Sequence, residues 1–256
     1  MSFSGKYILA AIDGTSSHEW RNSDGSNSHV FKFHRDIELQ GGISWYWNGP
    51  GEQTGGVVFG RGSTGIVESA VSHIRRKIIA YTGIRSRRPF SELSSTDRAL
   101  LREEIQDQVR IVLVGHSRGG LIAINVAARL PLPVHFLGLY DAVDRHPGLS
   151  ADRIHNVDHT AHALRHPDVG SRPSFGNCGR SSSGQYDERF FRTSHGGVGG
   201  DPVLEPTEGD YACDIHSAKA GIMSMAGVDL GVQCTNESYA ANAWIREKAR
   251  NQGIRF

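Results

Sequence analysis

Short apolar runs alternate along the chain with longer stretches whose apolar positions recur every three to four residues. Lys6 to Ile12 reads as a buried strand, and Asp13-Gly14-Thr15 forms a turn at its end. Residues 16–40 are polar, rich in Ser, Asn and His, and weakly periodic, so they predict no element. Gly42 to Trp47 is aromatic and strand-like, and it stops at the breaker Asn48-Gly49-Pro50-Gly51, after which a Gly-rich stretch runs to Gly65. Over 65–81, Ile66, Val67, Ala70, Val71, Ile74 and Ile78 mark one buried helix face. Ser94 or Ser95 can cap a second helix carrying Leu100, Leu101, Ile105 and Val109.

The β-branched run Arg110 to Val114 predicts a buried strand. Leu121 to Leu130 predicts a helix limited by Pro131, and Val134 to Tyr140 predicts another strand, ended by Asp141. Residues 145–188 are polar and read as a cap or substrate-loop excursion over the sheet. Arg189 to Thr193 reads as the last strand, and helices are expected near 214–227 and 236–251. There is no repeat of solenoid length. Strands alternating with helices imply one α/β domain over 1–256, a mainly parallel sheet with helices on both faces.

Composition narrows the function classes. Lys+Arg against Asp+Glu is 28 to 27, a net charge of +1, which lacks the global field of a dedicated nucleic-acid binder. The first apolar run is too short for a membrane span or a signal peptide. Three cysteines without C-x-x-C spacing point to reduced thiols rather than a disulfide framework or a zinc site. The expectation is a protein made in the cytoplasm, with export lacking a cleaved signal left open. Glycine is the outlier, with 31 residues, about 12% against the usual ~7%.

Chemistry concentrates at Gly115-His116-Ser117-Arg118-Gly119. Chance alone supplies roughly 0.4 copies of G-x-S-x-G in so glycine-rich a chain, so the pentapeptide needs its context. That context is a strand running straight in and an apolar helix running straight out, the setting of a nucleophile elbow. The sharp turn lifts a serine hydroxyl above the sheet, glycine two residues either side avoids a collision, and the N–H of Arg118 points toward a developing oxyanion. A serine hydroxyl needs a base, and the base needs an orienting acid. The order Ser, Asp, His selects Asp141 after a strand, with Asp144 and Asp201 as rivals, and His195, in a glycine run that would leave its ring accessible. A second oxyanion donor is expected from Gly14 or Thr15, with Asp13 bracing that loop.

These landmarks resemble the α/β-hydrolase family of type VI secretion phospholipase effector catalytic domains. The matching residues are Ile12-Asp13-Gly14-Thr15, Asn48-Gly49-Pro50-Gly51, Phe59-Gly60-Arg61-Gly62, Gly115-His116-Ser117-Arg118-Gly119, Leu139-Tyr140-Asp141-Ala142-Val143, His162-Ala163-Leu164 and His195-Gly196-Gly197-Val198-Gly199-Gly200, in family order over residues 7–200. The resemblance implies an α/β-hydrolase fold, Ser117 as nucleophile, His195 as base and Asp141 as acid. It also implies an acyl ester or lipid substrate, transient contact with a membrane surface, and an immunity or secretion partner. The chain departs from the pattern twice. Gly197 stands where the family has Asp, and Arg165-His166-Pro167 replaces an acidic pair.

Other signals carry less. His155, His159, His162 and His166 would share a face only on a helix, and H-E-x-x-H is absent, so neither metal nor cofactor is expected. Gly60 to Gly65 looks like an anion nest without the lysine of a Walker motif, and tight packing of a helix start is the default reading. Arg75-Arg76-Lys77 and Arg85 to Arg88 read as solvated faces that could touch anionic head groups. A non-catalytic module of a secretion or phage-like system, and a hydrolase of a non-lipid ester, stay open as alternatives.

Overall fold

The computed structural model describes residues 3–15, 28–51, 62–84, 94–144, 146, 148–149, 151–169, 171, 175–201 and 230–256, the last segment's side chains from 235 onward. The Gly60-Arg61 part of the nest, Arg85 to Arg88, Cys213 and the helix expected near 214–227 lie outside the described residues.

Six strands form one all-parallel sheet: β1 (Lys6–Ile12), β2 (Ile43–Trp47), β3 (Val109–His116), β4 (Val134–Tyr140), β5 (Val157–Arg165) and β6 (Gln185–Phe191). Their order across the sheet is β2-β1-β3-β4-β5-β6. The helices are α1 (His29–Leu39), α2 (Ser63–Thr82), α3 (Ser95–Gln106), α4 (Arg118–Arg129), α5 (His195–Gly199) and α6 (Leu230–Asn251).

Successive strand residues face opposite sides, and the core divides accordingly. Ile8, Ala10 and Ile12 of β1 and Ile111 and Leu113 of β3 pack with Val67 and Ile74 of α2, Ile105 of α3 and Leu121 of α4. Leu9, Ala11, Val112 and Val114 pack with Val30, Phe33 and Ile37 of α1 and Ala241, Trp244 and Ile245 of α6. Helices therefore cover both faces, which is why β1 and β3 are apolar almost throughout.

The sequence expectations miss two elements. Residues 28–39, read as featureless, contain α1. Its buried positions Val30, Phe33 and Ile37 have helical spacing, but His29 and His34 share that buried side and dilute the signal. Ser28 caps it, accepting the Phe31 N–H at 3.0 Å. The second miss lies inside 145–188. Val157–Arg165 is an inner strand of the sheet rather than part of an excursion. Its buried residues His159, Thr160, Ala161, His162 and Ala163 are small or polar, so the run does not look like a core strand. The strand also separates the histidines that a helix would have aligned. His159 stacks on Phe136, while His162 meets Tyr186. Among the described residues, no group of three or more His, Cys, Asp or Glu could hold a metal ion. Nor is any described helix long and apolar enough to cross a membrane.

Candidate active site

The C-terminal ends of β1, β3, β4, β5 and β6 converge on one place. β3 runs into Ser117, whose φ of 56° and ψ of −127° make it a sharp, left-handed turn before α4 begins at Arg118. A side chain at Gly115 would bring its Cβ to 2.5 Å from Gly119 O, and one at Gly119 would overlap the carbonyls of Ile12 and Asp13. Both glycines are thus required by backbone approach. The turn is clamped by neighbours. Ser117 N–H donates to Tyr140 O at 3.0 Å, and Val143 N–H donates to Ser117 O at 3.2 Å.

His195, 78 residues further on, opens α5 after β6. Its Nε2 lies 2.8 Å from Ser117 Oγ, placed to accept the hydroxyl proton, and its Nδ1 lies 2.6 Å from Asp141 Oδ2. Ser194 caps this short helix, accepting from Gly197 N–H at 2.9 Å, and the His195 N–H donates to Ser171 Oγ at 3.0 Å. The ring is buried, at 3% exposure, and not accessible in its glycine run as the sequence suggested. Phe175 packs edge-on against it at 5.3 Å, and the His116 ring lies 5.0 Å away on a tilt.

The carboxylate meeting His195 is that of Asp141. Asp144 is exposed and bonds through its N–H to Gly176 O; Asp201 bonds through its N–H to Gly196 O. Asp141 is fully buried and stands at φ 47°. Both of its oxygens are saturated. Oδ2 accepts from His195 Nδ1 and from Arg165 Nη1 at 2.5 Å, and Oδ1 accepts from Asn177 Nδ2 at 2.8 Å and Arg165 N–H at 3.3 Å. Burial pushes its pKa up, but the bonds and charges of His195 and Arg165 outweigh that and hold it well below the usual carboxylate range.

The loop after β1 lies over Ser117. A Cβ on Gly14 would come within 3.2 Å of Ser117 Cβ. Asp13, fully buried, accepts from Ser28 Oγ, from Tyr46 Oη at 2.8 Å and from Gly14 N–H at 2.8 Å. The last bond corrects the expectation for Gly14. Its N–H donates to Asp13 Oδ1, which leaves Thr15 as the other N–H the sequence named in this turn. Asp13 does brace the loop, and Arg118 sits buried at the start of α4, where the helix N-terminus favours negative charge.

Several residues around the site escaped sequence reasoning. His116 donates from Nε2 to His195 O at 3.1 Å, and its Nδ1 lies 3.9 Å from Asp13 Oδ1. Burial, helped by His195, pushes its pKa down to about 4, so it is neutral. His162 accepts the Ala142 N–H on Nε2 at 3.1 Å, fixing the peptide after Asp141, and faces Tyr186 Oη from Nδ1 at 3.2 Å. Burial pushes it to about 4 as well. Arg165 also donates from Nε to Ser171 O at 2.8 Å and from Nη2 to Phe175 O, tying Ser171 and Phe175 to Asp141. Its only sequence signal was the departure from the acidic family pattern. The other departure has a steric reason: a Cβ at Gly197 would overlap Thr193 Oγ1.

A cavity of about 290 Å³ opens at the opposite end of the sheet, lined by Glu103, Arg110, His135 and Asp158, and no residue of this constellation reaches it. No family model matches the chain, and no curated protein matches it.

Proposed function

We propose that this protein is a serine hydrolase that cleaves carboxylic esters through an acyl-enzyme, with lipid acyl esters as the favoured substrate class. The observation that carries the reading is the continuous bond path from Ser117 Oγ through His195 to Asp141, 2.8 and 2.6 Å, at an elbow where serine holds a positive φ. A nucleophile after β3, an acid after β4 and a histidine after β6, at one end of a parallel sheet, support an α/β-hydrolase type of architecture.

His195 Nε2 takes the Ser117 proton as Oγ attacks the carbonyl carbon. Asp141 keeps the Nδ1–H tautomer and stabilises the imidazolium. The N–H groups of Arg118 and Thr15 are the oxyanion donors in this reading. Collapse of the tetrahedral species expels the alcohol, which takes its proton from His195, and water activated by the same nitrogen then releases the acid. Preference for lipid, action as an antibacterial effector, and a secretion or immunity partner rest on the motif resemblance and belong to this proposal.

One observation favours a non-catalytic module instead. Ser117 and His195 are only 5% and 3% exposed, which leaves an acyl group little open surface to reach. One experiment separates the two. Wild type and Ser117→Ala are treated with a fluorophosphonate probe and assayed on short-chain aryl esters and phospholipid vesicles. Labelling and turnover lost together in the variant support the hydrolase. An unlabelled, inert wild type supports the module, and turnover unchanged by Ser117→Ala sinks the serine mechanism.

A further inference from the structure

We propose that Arg165 is a positioning residue of this site: its guanidinium shares Asp141 Oδ2 with the His195 imidazole and thereby sets how strongly His195 holds a proton. The inference rests on the serine-hydrolase reading above.

The geometry is specific. Arg165 Nη1 and His195 Nδ1 converge on the same oxygen, at 2.5 and 2.6 Å. Asp141 is fully buried and the Arg165 side chain is 9% exposed, so water screens the pair poorly. A carboxylate serving an imidazole alone gives its whole charge to the imidazolium. Here a permanent cation claims part of that charge and also repels a second cation on the ring. Both effects weaken the proton affinity of His195.

The other titratable groups facing the pair do not supply this charge. His116, at the end of β3, and His162, from β5, are held neutral by burial, each near pKa 4, and His29 at the start of α1 is held near 3. Asp13 stands behind His116. The Cys178 thiol, near Asp141 and Asp144, is pushed up by burial and stays protonated. Arg165 is thus a permanent cation bonded directly to Asp141. The same side chain holds Ser171 O and Phe175 O, and Ser171 Oγ in turn accepts the His195 N–H. One residue thus couples the charge of the acid to the placement of the base.

The test is the pH profile of fluorophosphonate labelling at Ser117 in wild type, Arg165→Lys and Arg165→Met, with folding checked by circular dichroism. In Arg165→Met the acid limb moves to higher pH by about one unit, because His195 holds its proton more tightly. In Arg165→Lys the charge remains but the three-way grip on the loop is lost, so the plateau rate falls while the limb stays in place. An unmoved limb in folded Arg165→Met overturns the proposal and leaves Arg165 a purely structural residue. A limb in Arg165→Lys that climbs by a full unit also overturns it, and that arm stands even if Arg165→Met does not fold. A wild type that does not label overturns the hydrolase reading, and this inference with it. A labelled wild type with unmoved limbs overturns this inference alone.

Discussion

Ser117 and Asp141 both stand at positive φ, 56° and 47°, at the ends of neighbouring strands, and backbone bonds lock the two turns together. Ser117 N–H reaches the carbonyl of Tyr140, just before Asp141, and Val143 N–H returns to the carbonyl of Ser117. Left-handed backbone at a serine is costly and persists only when its surroundings over-determine it. Strain at these positions is accordingly local, paired and removable.

The first prediction follows from that strain. Ser117→Gly and Ser117→Ala both abolish labelling, but glycine tolerates φ 56° where alanine does not. Ser117→Gly should be more stable than Ser117→Ala by about 1 kcal/mol, read by denaturant unfolding. Equal stabilities would mean that the elbow is relaxed.

Gly49 packs against the Gly14-Thr15 turn from outside. A Cβ there would overlap the carbonyl of Gly14, which sits over Ser117. Gly49→Ala should displace the Gly14-Thr15 turn and lower the labelling rate by about 10²-fold, because ångström-scale misplacement of a donor is that costly. A rate within twofold of wild type would remove this turn from the site.

Placing at position 197 the aspartate found in the family these motifs resemble should do harm. Gly197→Asp drives a side chain into Thr193 Oγ1 and should destabilise the fold by about 1–3 kcal/mol. Thr193→Ala in the same chain should recover part of that loss, a coupling read from a double-mutant cycle. Additive effects would show that the two side chains do not compete for the space.

Stability should fall as pH drops through the mildly acidic range. His116, His162 and His29 have folded pKa values lowered to about 4, 4 and 3 by burial, against 6.5 in the unfolded chain. Between these values the unfolded chain binds protons that the folded one does not. Each histidine therefore contributes stability that is full above about pH 6.5 and lost as pH falls toward its folded value, by up to about 1.4 kcal/mol per pH unit. Asp141, depressed by His195 and Arg165 despite its burial, adds a loss below its unfolded value near 4. Unfolding free energies measured from pH 7 to 4 should drop steeply, and His162→Gln should flatten the slope. A flat profile would place these rings in water.

Much of this was legible in the residues. β1, β3 and β4 are apolar runs because both faces of a parallel sheet are covered, and the elbow is written in Gly115 and Gly119. β5 and α1 were not legible, since His159, His162, His29 and His34 occupy buried places where hydrophobicity is expected. Polar residues become core residues there only through partners supplied from afar, such as Ala142 N–H for His162 and Ser238 for His29. Arg165 was unreadable for the same reason: its meaning lies in Asp141, 24 residues earlier.

The placement of the last helix sets an order on the making of this protein. Glu237 of α6 accepts the Arg192 N–H at 2.9 Å, three residues before His195, and Ser238 holds the His29 ring beneath the site. A ribosome delivers Ser117 early, and the elbow can close once β4 has emerged. His195 follows 78 residues later, and the helix that steadies its loop comes later still. While it is being synthesised the chain therefore carries Ser117 before its hydrogen-bond partner His195 exists, and the contact that α6 makes beside that histidine forms last of all.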